Sequence, residues 1–257
     1  LAIPGPDGWD LVDWQRCRSF GNYMAKKFHL KKRPELGYNI KQLRGRKTYD
    51  AMIAAGIKLL EKQSYESLTV ASLTMQAGYS VGAFYSRFRS KDEYFDSMLQ
   101  HHIEVRLETT RRILEECPPD TVVDVLLTDL VNYYASHKNF WRATIIRNSS
   151  DPGYWQPLRQ LGEDNARRFV EYMESKLGRQ LDQAERANIM YGFQVCRSVI
   201  NNTIINNPGP VSLGQQAFID NLVRAFYLIS EYRELLAVPA RRPGSAIRQS
   251  ARRSGKR

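Results

Sequence analysis

The sequence predicts an all-α protein. Apolar residues recur at helical spacing from residue 49 to residue 236, and prolines or glycines mark most of the breaks between those runs. No convincing alternating strand pattern appears anywhere. The chain has 257 residues, 42% of them hydrophobic and 25% charged, enough for one large or two modest domains around a sizeable core. No apolar run approaches the roughly 18 residues of a membrane span, and the start shows no signal-peptide pattern. Cys17, Cys117 and Cys196 are odd in number and far apart, which suits neither a disulfide framework nor a zinc site. A reducing cytosol is the expected setting.

The elements follow in order. Residues 3–8 hold two prolines and two glycines and read as loop. From Trp9 to Phe28 the pattern is ragged but helical, with Trp14, Cys17, Met24 and Phe28 on one face and Gly21 weakening it. Such an extension is expected to dock on its own domain or subunit rather than on a membrane. Residues 29–43 look irregular, broken by Pro34 and Gly37. Tyr49, Met52, Ile53, Gly56, Ile57 and Leu60 then form the stripe of a four-turn helix. Short helices over Thr69–Ala77 and Ser80–Phe88 part at Gly78-Tyr79, and Ser90 with Glu93 reads as the capping box of a longer one. Further helices are expected over 118–136, 139–147, 155–177, 182–206 and 212–236. Pro239 opens a Ser/Arg/Gly-rich tail expected to be disordered. The implied organisation is an extension over 1–43, a small helical head over 44–93, a larger helical domain over 94–237 and a basic tail over 238–257.

Charge is unevenly spread. Residues 26–47 carry nine Lys/Arg against Glu35, and residues 241–257 carry seven with no acid. Of the net +11, these two arms supply +8 and +7, which leaves −4 on the rest. Two basic arms on a mildly acidic body point to a polyanion partner, although one basic tail alone serves solubility equally well.

Residues 68–93 carry the most specific pattern. Two short helices that cross steeply need small residues in the first, and Thr74 and Ala77 supply them. The turn needs a residue that tolerates positive φ, which is Gly78, and Ser80 stands where a side-chain oxygen caps the second helix. Val70, Leu73, Phe84 and Phe88 would wedge the pair onto the preceding helix. That leaves Val81, Gly82, Ala83, Tyr85, Ser86 and Arg87 facing outward. On geometry alone, an ordinary helical corner of a larger core fits as well.

The residues Thr69-Val70, Leu73, Ala77-Gly78, Ser80, Gly82, Tyr85, Phe88 and Ser90-Lys91-Asp92-Glu93, over roughly 46–95 without gaps, resemble the TetR family of transcriptional regulators. Two departures stand out: Thr74 where that family usually has Ala, and Val81 where Lys is common. The resemblance implies that the helix from Val81 to Phe88 enters the major groove and that Tyr85 touches phosphate. It places Thr69 and Lys91 at anion-favouring helix N-termini, and Arg44, Arg46 and Lys47 along the DNA backbone or in the minor groove. It also implies an effector cavity in the larger domain, for which His102, Tyr133, His137, Trp141, Trp155, Tyr191 and Phe193 are the candidates. Aromatics at helical spacing serve equally as plain core.

Rival chemistries are weaker. Gly78-Tyr79-Ser80-Val81-Gly82 matches the hydrolase pattern G-x-S-x-G, but that pattern needs a strand-to-helix elbow where this sequence shows two helices. His101 and His102 with Glu104 and Glu108 suggest a metal, yet adjacent helical residues point apart. His102 is expected to face the interior beside Leu99 and Arg106. No catalytic residue, metal or cofactor is expected. The reading is a non-enzymatic, cytoplasmic, nucleoid-associated repressor that binds double-stranded DNA at a near-palindromic operator and answers to an unknown small molecule. It is expected to form a homodimer through residues 182–236, where Ile189, Phe193, Ile200, Leu222, Phe226 and Ile229 look more apolar than one layer needs. The alternative is an architectural DNA-binding protein without an effector.

Overall fold

A computed structural model describes residues 40–150 and 152–237. The expected extension up to residue 39 and the tail from 238 lie outside the described residues. Among the described residues all regular structure is helical: α1 (Ile40–Leu60), α2 (Val70–Ala77), α3 (Val81–Tyr85), α4 (Lys91–Glu116), α5 (Val122–Ser136), α6 (Lys138–Ser150), a 3₁₀ turn (Pro152–Trp155), α7 (Gln156–Leu177), α8 (Gln183–Asn206), α9 (Gln216–Ser230) and α10 (Tyr232–Ala237).

The head is α1 to α3 packed against the first turns of α4. Helix α1 begins at Ile40, earlier than the irregular stretch to residue 43 allowed. Lys41, Gln42, Leu43 and Arg44 are good helix formers, so the basic run extends the helix instead of preceding it. Met52, Ile53 and Leu60 bury their side chains as the stripe required. Gly56 marks a close approach: a Cβ built there would lie 1.8 Å from the Tyr94 hydroxyl, which donates to the Met52 carbonyl at 2.9 Å. Phe84, Phe88 and Tyr94 fill the space beneath, with ring centroids 5.1 to 5.6 Å apart. The expected head boundaries at 44 and 93 fall within α1 and within the first turn of α4, which runs unbroken from head to body.

Helix caps differ in detail from expectation. Ser90 accepts from the Glu93 amide at 3.1 Å, but Glu93 reaches the amide of Arg89 at 2.7 Å rather than that of Ser90, so only half of the box forms. Complete reciprocal boxes occur at Thr69–Ser72 and Asp182–Glu185.

The body stacks α5 to α10 around the distal part of α4. Tyr172 donates to the Cys117 carbonyl and Tyr232 to the Pro119 carbonyl, both at 2.7 Å, which ties the Pro118-Pro119 corner to α7 and α10. The helix expected over 212–236 is two helices. Glu231 adopts φ 50°, and the chain turns there to bury Tyr232. An unbroken helix would carry Tyr232 about 240° round the axis from the buried Phe226. Among the described residues, no helix is long and apolar enough to cross a membrane.

Candidate nucleic-acid interface and cavity

The turn between α2 and α3 is built from local chemistry. Gly78 sits at φ 75°, ψ 31°; its amide donates to the Met75 carbonyl at 3.2 Å, and the Tyr79 amide donates to the Thr74 carbonyl at 2.9 Å. These two bonds close α2 as a Schellman motif. The Thr74 hydroxyl, buried at the crossing, donates back to the Val70 carbonyl at 2.9 Å, so the site carries no unsatisfied polar group. Ser80 then caps α3 by accepting from the Ala83 amide at 3.1 Å. Residues 78–82 thus form a helix-turn-helix junction, not the strand-to-helix elbow that a hydrolase serine requires.

Helix α3 is shorter than the span 81–88. It ends at Tyr85 and continues as a tight turn in which the Arg87 and Phe88 amides both donate to the Phe84 carbonyl at 2.9 Å. Phe84 and Phe88 are buried, while Val81, Gly82, Tyr85, Ser86 and Arg87 are exposed and Ala83 is half-buried. Arg87 lies against α1: a Cβ on Gly45 would come within 2.8 Å of its guanidinium. Thr69 is exposed, with its hydroxyl oxygen accepting from the Ser72 amide at 3.0 Å. Lys47 is exposed, Arg46 stands 3.9 Å from Asp50, and the side chain of Arg44 lies outside the described residues.

Lys91 departs from expectation. Its ammonium donates to the Tyr65 carbonyl at 2.8 Å and lies 4.4 Å from that ring's centroid, and burial pulls its pKa down. It ties the loop before α2 to α4 instead of extending toward an anion. Sequence reasoning passed over Met75 and Tyr79, both exposed beside the turn, Met75 at 80%. Met75 falls outside the Val70, Leu73, Thr74, Ala77 stripe, a signal that was available.

In the body, α4, α5, α7, α8 and the 3₁₀ turn line a cavity of about 680 Å³ that is partly open to solvent. Of the seven residues expected to line it, Trp155, Tyr191 and Phe193 do. His102, Tyr133, His137 and Trp141 do not; they pack together as a separate cluster. His102 stacks on Phe140 with centroids 4.1 Å apart, and its Nδ1 lies 2.5 Å from the Tyr133 hydroxyl. Burial, with His137 and His101 nearby, holds the His102 imidazole well below its ordinary pKa. Of their polar tips, His102 Nδ1 meets the Tyr133 hydroxyl and His137 Nδ1 the Tyr133 carbonyl, while His102 Nε2 and Trp141 Nε1 are buried without a hydrogen-bond partner among the described residues. The guanidinium of Arg106 pairs with buried Asp129 at 2.5 Å, lies over the Tyr133 ring, and joins this cluster to the cavity wall. Tyr134, Leu126, Leu158 and Met190 supply much of the apolar wall.

Comparison with known proteins converges on the head. The family of bacterial regulatory proteins of the tetR type matches residues 52–98. This segment is a TetR-family helix-turn-helix head. The HTH-type transcriptional regulator YwcC of Bacillus subtilis is 37% identical over 59 residues, 23% of this chain and 26% of that protein. YerO of the same organism, described likewise, is 26% identical over 94 residues, 35% of this chain and 32% of its own length. The chain thus matches a third or less of the length of these curated relatives. The fold extends the likeness to the body. The fatty acid degradation regulator FadR of Bacillus halodurans superimposes with a TM-score of 0.52 at 14% identity, covering 77% of this chain and 96% of that one. Within the TetR head, the departures at Thr74 and Val81 have separate consequences. Thr74 leaves the crossing intact because its hydroxyl bonds within α2, whereas Val81 puts an apolar, 44% exposed side chain at the start of α3.

Proposed function

We propose that the protein is a dimeric, ligand-responsive transcriptional repressor that reads a near-palindromic operator. The observation that carries this reading is the anchored tip of α3. Phe84 and Phe88 fix its inner side while Val81, Gly82, Tyr85 and Ser86 stand in solvent on a helix short enough to enter a major groove end-on. Small Gly82 and Ala83 let the backbone come close, Val81 offers apolar contact to a thymine methyl, and Tyr85 reaches toward phosphate.

Response to a ligand is supported by the connection between the cavity and the head. Trp155 lines the cavity, and the next residue back, Tyr154, donates to Asp96 on α4 at 3.2 Å. Arg147 pairs with Asp92 at 2.8 Å and lies against the Phe95 and Tyr154 rings. A ligand that moves the 3₁₀ turn therefore pulls on the turns of α4 that hold the head, and biases one of two head arrangements. Pairing of two copies is supported by Val199 on α8 and Leu228 on α9, which are 41% and 71% exposed. Of the residues that sequence breadth nominated for this role, Ile189, Ile200, Leu222 and Phe226 belong to the protomer's own core.

The test is selection of bound sequences from genomic DNA fragments by the full chain, followed by affinity measurement on the recovered site. Recovery of one near-palindromic site whose binding weakens in the presence of a small molecule is expected. Uniform recovery without sequence preference would favour an architectural DNA-binding protein instead.

A further inference from the structure

The cavity holds three arginines, and their states differ. Arg106 is neutralised by Asp129. Arg159 lies at the exposed edge. Arg197, from α8, is half-buried and turned across the cavity onto α7, where a Cβ on Gly162 would lie 1.0 Å from its Nη1. Among the described residues, the Arg197 guanidinium makes no hydrogen bond and no ion pair. Glu163, the one carboxylate of the lining, is exposed and stands beyond ion-pair distance from it. Counting Asp129 with its partner, the groups at the wall carry one net positive charge. The remaining wall is mixed: Leu126, Leu158, Trp155, Phe193 and Met190 face the same space as the uncharged polar side chains Thr110, Asn165, Gln194, Ser198 and Asn201.

A half-buried guanidinium without a paired carboxylate gains from a ligand that supplies its counter-charge. Burial already depresses the Arg197 pKa. Five N–H donors in a fixed fork match a carboxylate or a similar planar anion in two parallel bonds. Gly162 leaves the room on α7 in which the fork lies, so helix and guanidinium together form a floor for such a group. A cavity of about 680 Å³ lies within the range of small-molecule sites, which are mostly apolar with a few placed polar groups.

We infer that the effector is a monoanion with an apolar body, its acidic group held by Arg197 against Gly162 and its body among the aromatic and aliphatic residues of α5, α7 and the 3₁₀ turn. This rests on the effector-cavity reading above and names the ligand class that reading left open.

The experiment is calorimetric titration of the full chain with two acids, decanoate and 2-naphthoate, each against its own neutral amide, with DNA affinity measured in parallel. At least one acid is expected to bind about tenfold or more tightly than its amide, because both carboxylate oxygens accept from the guanidinium whereas the amide offers one acceptor and turns a donor toward the other N–H. Arg197→Gln should abolish that preference, so that acid and amide bind alike. Gly162→Ala, which favours the helix but displaces the guanidinium, should weaken acid binding while raising thermal stability. Equal binding of acid and amide, or a preference that survives Arg197→Gln, overturns the anion assignment and leaves the cavity as an uncharged site. Failure of all four probes to bind also overturns it. Arg197-dependent acid binding that leaves DNA affinity unchanged would uphold the ligand class and sink the effector response instead.

Discussion

Gly78 sets the angle at which α3 leaves α2, and its replacement isolates that contribution. At φ 75° an L-residue suffers the clash of Cβ with its own following carbonyl, worth about 1–2 kcal/mol for Ala and about 1–3 kcal/mol for a β-branched residue. No atom lies within 4 Å of a Cβ built there, so contacts with the rest of the protein add nothing and the whole cost is backbone. Loss of glycine also stiffens the unfolded chain, which returns roughly 0.4–1 kcal/mol. The net expectation is about 1 kcal/mol for Gly78→Ala and about 2 kcal/mol for Gly78→Val. Gly78→Asn should cost least, because its short polar side chain is at home in the left-handed region. If the strained variants relax φ, the Tyr79–Thr74 and Gly78–Met75 bonds open and α3 swings, so DNA affinity falls in the same order, Asn above Ala above Val. Urea unfolding followed by circular dichroism gives the stabilities, and fluorescence anisotropy on the selected site gives the affinities. Equal stability of Val and wild type, or an Asn variant as weak as Val, would refute the argument from φ.

Three further outcomes are expected. Tyr85→Phe should weaken binding to all sequences alike, whereas changes at Val81 or Ala83 should alter preference among single-base operator variants by about 1–3 kcal/mol per affected base pair; a base preference that moves with Tyr85 alone would mean the wrong face was assigned. Leu228→Lys should yield folded monomers in sedimentation, with operator affinity down about a hundredfold or more as the two heads lose their linkage; a dimer of unchanged affinity would place the pairing surface elsewhere. His102 stays neutral in the fold while the unfolded chain protonates it near its ordinary value of 6.5. Stability should therefore hold above that pH and fall below it by up to about 1.4 kcal/mol per pH unit, and His102→Phe should flatten this acid slope.

What the sequence made legible was mostly what is decided within a few residues. Gly78, Ser80, Phe84 and Phe88 set the turn, the cap and the anchoring side of α3 from their own chemistry, and the structure places each as that chemistry requires. Errors arose where a distant partner decides. Lys91 looked like an anion contact because it opens a helix; the carbonyl of Tyr65, 26 positions away, holds it instead. His102, Tyr133 and Trp141 looked like a lining because their tips are polar, but they pack in the core, where His102 stacks on Phe140 and meets the Tyr133 hydroxyl through Nδ1 alone. The breadth of apolar residues on α8 and α9 overstated the free surface, since Phe226 fills the gap left by Gly192 within one protomer.

Adjacent residues in the 3₁₀ turn show why the cavity itself stayed hidden. Tyr154 and Trp155 are chemically alike and next to each other, so no periodicity separates them, yet one grips Asp96 on α4 and the other faces the cavity. The division comes from the turn, which sends successive side chains to different neighbours. Arg197 is the more informative lesson. Arg197 follows the buried Cys196 on α8 and is itself half-buried, a position at which a charged side chain is commonly paired. Arg106 finds Asp129, and Arg179 and Arg186 find Glu185 and Glu174. Arg197 has no carboxylate within ion-pair distance among the described residues, and that is where the proposed effector would place its acidic group.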